Sequence, residues 1–237
     1  MKKNVQSITF TNYGYLDFTM NLSESIKKNN IDLDLLIYCT DKKSFDYLNK
    51  FNYNCILLNS KLSQSKKATS WKAGNSKFGE MMVSKFESIY DGLLKNDYVL
   101  YIDGDIVIKE NILEYLQKEI EENDFLFQLD YNNKRPHQND LCAGFMMINS
   151  NSKTLKLFDP ALVPKELLDR RFYFDDQKYI NRNLDKVNYE FFDLDAYPNG
   201  SYFYSNYKNL DPAIIHFNYI VGSEKKQKMK ELDCWYI

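Results

Sequence analysis

Apolar runs of strand length alternate with segments of helical period through the first half of the chain: VQSITF, YLDFTMNLSESIKKN, LDLLIYC, KSFDYLNKF, NCILLN, KFGEMMVSKFESIYDGLL and DYVLYI. This alternation predicts βαβ units, hence an α/β protein with a parallel central sheet flanked by helices. The clearest helix carries Phe78, Met82, Lys85, Ile89, Tyr90 and Leu93 at three- and four-residue spacing, the period of one helical face. Lys85 stands inside that apolar stripe. Either its stem snorkels along the edge of the stripe, or its ammonium reaches the carboxyl end of the sheet and meets an anion. Between NCILLN and this helix lies KLSQSKKATSWKAGNS, aperiodic and polar around Trp71, which reads as a lid. Beyond the helix follow ILEYLQKEI (helix), FLFQLD (strand), the polar loop YNNKRPHQND, CAGFMMIN (strand), a second helical pair, VNYEFFDLDAY (strand), AIIHFNYI (strand) and a lysine-rich tail.

A chain of 237 residues is long enough for one large core, and with no repeat or Pro/Gly-rich boundary it reads as a single domain over 1–237. The net charge of −2 gives no reason to expect nucleic acid or an anionic membrane as partner. No stretch has the length of a transmembrane segment and the start carries no apolar signal region. The four cysteines, Cys39, Cys55, Cys142 and Cys234, form no C-x-x-C pair; reduced thiols and a cytoplasmic location are expected.

The stretch VLYIDGDIVI drives an apolar strand into two acids, Asp103 and Asp105, separated only by Gly104. Two carboxylates about 4 Å apart repel by roughly 4 kcal/mol at an intermediate dielectric, so a cation, a shared proton or full solvation must offset them. Asp-Gly between apolar runs also fits a two-residue hairpin turn. Against the hairpin, Val99–Ile102 is a continuous apolar run following a helix, and ligands bind outside the carboxyl ends of such buried parallel strands. Neither G-x-G-x-x-G nor a Walker A loop is present, so phosphates would need a hard divalent cation, Mn2+ or Mg2+, on the two acids. His216, closing the run AIIHF, is the candidate third ligand.

In order along the chain, TFTNYGY, IYCTD, the helix with Lys85, LYIDGD, CAGFMMIN, DDQKYIN and HFNYIVGSEKK resemble a GT-A glycosyltransferase of the nucleotide-diphospho-sugar transferase group, similar to retaining galactosyl- and xylosyltransferase-like and glycogenin-like families. The resemblance implies an α/β GT-A fold with a mixed, mostly parallel central sheet flanked by helices, and a metal-dependent transfer of sugar from a nucleotide-sugar donor, UDP-sugar by family default, to a hydroxyl on a glycan, protein or small molecule, with retention of configuration. It implies Asp103, Asp105 and His216 as metal ligands. It implies Thr11, Asn12 and Asp41 near base and ribose, and Gly104 and Lys85 on the donor. Ala143 and Gly144 lie near the donor sugar, and Asp176 and Gln177 beside the anomeric carbon. Gly222 and Lys225 match the stretch that contacts the diphosphate, with Lys226 an equally close neighbour.

Two other readings share the motif. A haloacid-dehalogenase-type phosphatase would use Asp103 as nucleophile with Mg2+, although D-G-D then lies unusually far into the chain and no G-D-x-x-x-D follows. A non-catalytic nucleotide-sugar or glycan-binding protein would keep the pocket without turnover.

Overall fold

In the computed structural model, residues 3–58, 76–135, 137, 139–162 and 176–237 are described, apart from the side chains of 76–78 and 80. The expected lid around Trp71 lies outside these residues.

Nine strands form two sheets among the described residues. The strands of the large sheet are β1 (Val5–Thr11), β2 (Leu35–Cys39), β3 (Cys55–Leu57), β4 (Tyr98–Ile102), β6 (Phe125–Leu129), β7 (Leu141–Asn149) and β8 (Tyr189–Phe191), in the order β3-β2-β1-β4-β7-β6-β8. All run parallel except β7, which is antiparallel to both its neighbours. The expected α/β class with a mixed, mostly parallel sheet is what the chain forms.

Successive residues of β4 point to opposite faces, as the pleat requires. Val99 and Tyr101 join the apolar cluster that includes Phe86, Ile89 and Leu93 of α3 (Ser76–Lys95) and Leu157 of α5 (Ser152–Phe158). Tyr98, Leu100 and Ile102 join the opposite cluster with Leu22 and Ile26 of α1 (Leu16–Lys28), Leu48 of α2 (Lys42–Lys50) and Leu116 of α4 (Leu113–Glu119). A strand covered on both faces must be apolar throughout, which is why YVLYI shows no alternation.

Three of the helices start where a short polar side chain caps them. Asp41 caps α2 by accepting from Ser44 N, and Asn151 and Thr154 form a reciprocal capping box on α5, replacing orphan backbone partners. Helix α6 (Asp176–Asn181) follows an undescribed segment; α7 (Gly200–Asn206) is capped by Asn199, and α8 (Gly222–Glu231) closes the chain.

The hairpin alternative for YVLYIDGDIVI does not hold. Residues Ile106–Ile108 form β5, which pairs not with β4 but antiparallel with β9 (Ile214–His216) in a separate two-stranded sheet. Two registers then assemble the polar end of β4. Asp103 N donates to Gly144 O at 2.7 Å, extending the β4–β7 ladder, and the Ile106↔His216 pair sets His216 beside the residue that precedes Ile106, Asp105.

Candidate active site

At the carboxyl ends of β1 and β4 the structure opens a cavity of about 620 Å3, within the range of small-molecule sites. Of the fifteen residues singled out from sequence, all line it except Asp41 and Lys226: Thr11, Asn12, Lys85, Asp103, Gly104, Asp105, Ala143, Gly144, Asp176, Gln177, His216, Gly222 and Lys225. Asp41 is turned to the backbone, its oxygens accepting from Tyr13 N (2.8 Å) and Ser44 N (3.0 Å), so it shapes the turn after β1 rather than the cavity wall. Lys226 points away to Asp17 (3.0 Å) and the Trp235 ring; one residue along α8, Lys225 is the lysine that faces inward.

Candidate ligand atoms of Asp103, Asp105 and His216 lie within 4.8 Å of one another. His216 Nε2 stands 3.5 Å from Asp105 Oδ1 and 4.0 Å from Asp103 Oδ2. Each acid also has its own ammonium. Buried Lys85 sits between Asp176 Oδ2 (2.7 Å) and Asp103 Oδ1 (3.3 Å), while Lys225 bonds Asp105 Oδ2 and lies 3.2 Å from Tyr15 OH. Tyr101 OH donates to Asp103 Oδ1 at 2.5 Å. Burial alone would raise the pKa of Asp105, but the Lys225 ammonium beside it outweighs this and holds the carboxyl well below the usual carboxylate range. Burial would strip the proton from Lys85; the facing charges of Asp103 and Asp176 reverse this and keep it a cation. Tyr101 and Tyr15 are pushed far up by burial and by the nearby carboxylates, so both phenols remain neutral donors.

This donor set fits a hard divalent cation. Two carboxylates and one imidazole are oxygen and nitrogen ligands of the kind Mn2+ and Mg2+ accept. Three carboxylates (Asp103, Asp105, Asp176) against two ammoniums (Lys85, Lys225) leave one negative charge beside the Nε2 atom.

The contacts that support the site were not legible in sequence, even where the residues were. Gly144 is needed because a Cβ there would meet His216 Cε1 at 2.2 Å and Asp103 Oδ2 at 2.9 Å; the small residue makes room for the acids and imidazole themselves. Gln177 Nε2 donates to Asp130 Oδ2 (2.8 Å), and its Oε1 is 3.4 Å from Ala143 N. Four residues on, Asn181 clamps Leu141 through both its backbone groups. The spacing in DDQKYIN is thus explained: one helical turn carries two amides onto β7. Gln128 and Asp130 stand in no motif, and Tyr219 is an unmarked position of HFNYIVGSEKK; its OH donates to Asp130 Oδ1 (2.9 Å) from a residue with φ of 66°.

A nucleotide-diphospho-sugar transferase family model matches residues 31–232. The chain is 27% identical, over a 285-residue alignment, to UDP-galactose:fucoside alpha-3-galactosyltransferase of Dictyostelium discoideum; the match spans 100% of this chain and 44% of the relative, so the chain spans less than half the length of that protein. Among solved structures it resembles glycosyltransferase GlyE of Streptococcus pneumoniae (TM-score 0.57, 15% identity, 100% of this chain and 65% of that one). It also resembles the galactosyltransferase LgtC bound to donor and acceptor sugar analogs (TM-score 0.58, 11% identity, 89% and 86%). At these identities the structural likenesses establish the fold, that of GT-A glycosyltransferases.

Proposed function

The chain belongs to the nucleotide-diphospho-sugar transferase family, and on that premise we propose that it moves a hexose from a nucleoside-diphosphate sugar to a hydroxyl acceptor, with the donor's diphosphate held against Asp103, Asp105 and His216. The observation that carries this reading is the convergence of those three side chains, drawn from three separate strand ends, on one cavity that two buried lysines also face. The name of the Dictyostelium relative specifies UDP-galactose and a fucoside; for this chain the corresponding proposal is a UDP-hexose and a glycan hydroxyl. The described residues are taken as one catalytic domain, supported by a single large sheet with an apolar cluster on each face.

Transfer forms a bond between the acceptor oxygen and the anomeric carbon while the bond from that carbon to the diphosphate oxygen breaks. Negative charge grows on the departing diphosphate, and stabilising it is the main task. Mn2+ or Mg2+ bound by Asp103, Asp105 and His216 supplies positive charge at that place. Lys225, on the first turn of α8, adds a second positive charge at the same wall of the cavity. Lys85, 2.7 Å from Asp176 Oδ2, fixes that carboxyl in place. Gln177, its amide hydrogens directed at Asp130, presents its Oε1 on the β7 side, where a carbonyl dipole supports the positive face of the sugar. In the retaining course we propose, the acceptor proton passes to the departing diphosphate oxygen, so no separate base is required. NMR of the product's anomeric proton decides: an inverted product removes the roles given to Asp176 and Gln177.

Family membership leaves the phosphatase alternative without support, and Asp103, already engaged by Lys85 and Tyr101, is a poor nucleophile. The proposal is tested with Asp105→Ala. Removing one preorganised charge-stabilising group costs about 10²–10³-fold in turnover, so transfer from a UDP-hexose in the presence of Mn2+ should fall at least that far, while circular dichroism stays native. Near wild-type turnover by this variant in chelator-treated buffer would refute the role of the acids.

A further inference from the structure

Resting on the reading of His216 as a cation ligand, we propose that Gln128 is its positioning residue: Gln128 fixes the imidazole as the Nδ1–H tautomer and thereby turns the Nε2 lone pair toward Asp103 and Asp105. No motif in the chain marks Gln128. It is a fully buried polar residue in β6, and a buried amide has to satisfy its donors and its acceptor at once.

The assignment follows from counting hydrogens. Gln128 Nε2 donates to Tyr197 O (3.1 Å) and Pro198 O (2.8 Å). Two carbonyls can be met only by the two hydrogens of the amide nitrogen, so the flipped amide is excluded and Oε1 is the atom that faces the imidazole. Oε1 lies 2.7 Å from His216 Nδ1, a hydrogen-bond distance that an acceptor can hold only against an N–H. In a neutral imidazole one nitrogen carries the proton and the other a lone pair. With Nδ1 donating to Gln128, the lone pair falls on Nε2, the nitrogen 3.5 Å from Asp105 and 4.0 Å from Asp103. The other tautomer would set two lone pairs against each other at 2.7 Å and aim an N–H where a ligand atom is needed. Cys142 Sγ, 3.7 Å from Nδ1, already accepts from Asn218 Nδ2 at 3.4 Å, and a thiol is the weaker acceptor of the two.

The backbone places Gln128 for this task. The β6–β7 ladder is regular from Phe125 to Phe127, then jumps from Phe127↔Met146 to Gln128↔Cys142. The irregularity falls at Gln128, whose register partner Cys142 stands two residues before Gly144, and the lack of a Cβ at Gly144 gives the His216 ring its space. Metal-binding histidines commonly depend on such a partner at the second nitrogen, and its loss lowers metal affinity by about 10–100-fold.

The chain has only two histidines, His137 and His216, so 15N-histidine NMR of the full chain in EDTA shows two rings, and His216→Ala assigns them. Expected is an Nδ1–H ring for His216 in the wild type. Gln128→Met should convert it to Nε2–H and weaken Mn2+ binding, followed by the free-ion EPR signal, by about 10–100-fold. Gln128→Glu keeps an acceptor on Nδ1 and should retain both the tautomer and near wild-type Mn2+ affinity. Both variants disturb the bonds to Tyr197 and Pro198, so a merely structural role would lower Mn2+ affinity equally in both. That equality, an Nε2–H ring in the wild type, or an unchanged tautomer in Gln128→Met each overturns the proposal. The tautomer is read without any cation. If His216→Ala leaves Mn2+ affinity unchanged, it is the premise that fails, and the proposal falls with it.

Discussion

Lys85 shows what a single residue contributes. Its stem lies among the apolar positions of α3, yet its ammonium is buried between Asp103, at a strand end, and Asp176, at a helix start 91 residues along the chain from the lysine. Breaking a buried ion pair by removing one partner costs about 3–5 kcal/mol, because the remaining charge stays unpaired. Lys85→Met should therefore lower unfolding free energy by about 3 kcal/mol or more in urea titration, and Asp176→Asn added to it should restore part of the loss. A Lys85→Met chain as stable as the wild type would mean that the two carboxylates do not depend on it. The anomaly of a lysine in an apolar stripe was visible in the sequence; its partners were not, since helical spacing reports a face and not what lies opposite. The same holds for Lys225 and Lys226, adjacent in the chain and equivalent by charge, which only the helical rotation of α8 separates into one inward and one outward residue.

Among elements, the strands were legible and the pairing of the short ones was not. Continuous apolar runs announced β4 and β7 because a strand covered on both sides leaves no room for polar residues. Strands β5 and β9, three residues each, lie in apolar runs, but nothing local marks them as partners, and D-G-D imitated a hairpin because their pairing spans more than a hundred residues. That pairing delivers His216 to the acids, while β7 delivers Gly144. Gly144→Ala should force the His216 ring and Asp103 apart, since no Cβ fits 2.2 Å from a ring carbon; the expected outcome is a fold close to native by circular dichroism, destabilised by about 1–3 kcal/mol from overpacking, with Mn2+ affinity lowered. Unchanged Mn2+ binding by Gly144→Ala would contradict the packing described.

A second junction tests electrostatics away from the cavity. Asp124 accepts from Asn188 N (2.8 Å), Asn151 Nδ2 (2.8 Å) and Lys153 Nζ (2.7 Å), joining the start of β6 to the cap of α5 and the approach to β8. Partial burial works to raise its pKa, but Lys153 and these donors prevail and lower it. A carboxyl depressed on folding stabilises the protein above its unfolded pKa, about 3.9, and this contribution is lost as pH falls through the folded value. Asp124→Asn should be less stable than wild type at pH 7, and the difference should shrink below about pH 4. Equal stabilities at pH 7, or a gap that persists in acid, would show that the network adds nothing ionic.

At the scale of the molecule, the sheet's reversed strand β7 and the small β5–β9 sheet help gather residues from six parts of the chain around one cavity at the carboxyl ends of parallel strands, where such folds bind ligands. No helix among the described residues is long and apolar enough to cross a membrane, and all four cysteines are free. The central claim is that cation and nucleoside diphosphate occupy this cavity together. Thermal unfolding of the full chain with Mn2+ alone, with a panel of nucleoside diphosphates alone, and with both, in wild type and Asp105→Asn, tests it most directly. Ligand at about 100 times its Kd stabilises by about 2.7 kcal/mol, or about 5–10 °C for a chain of this size. The expected result is a joint shift of that order in the wild type, larger than the two separate shifts combined and absent in Asp105→Asn. A nucleotide shift that survives EDTA undiminished, or that Asp105→Asn shares in full, would contradict it.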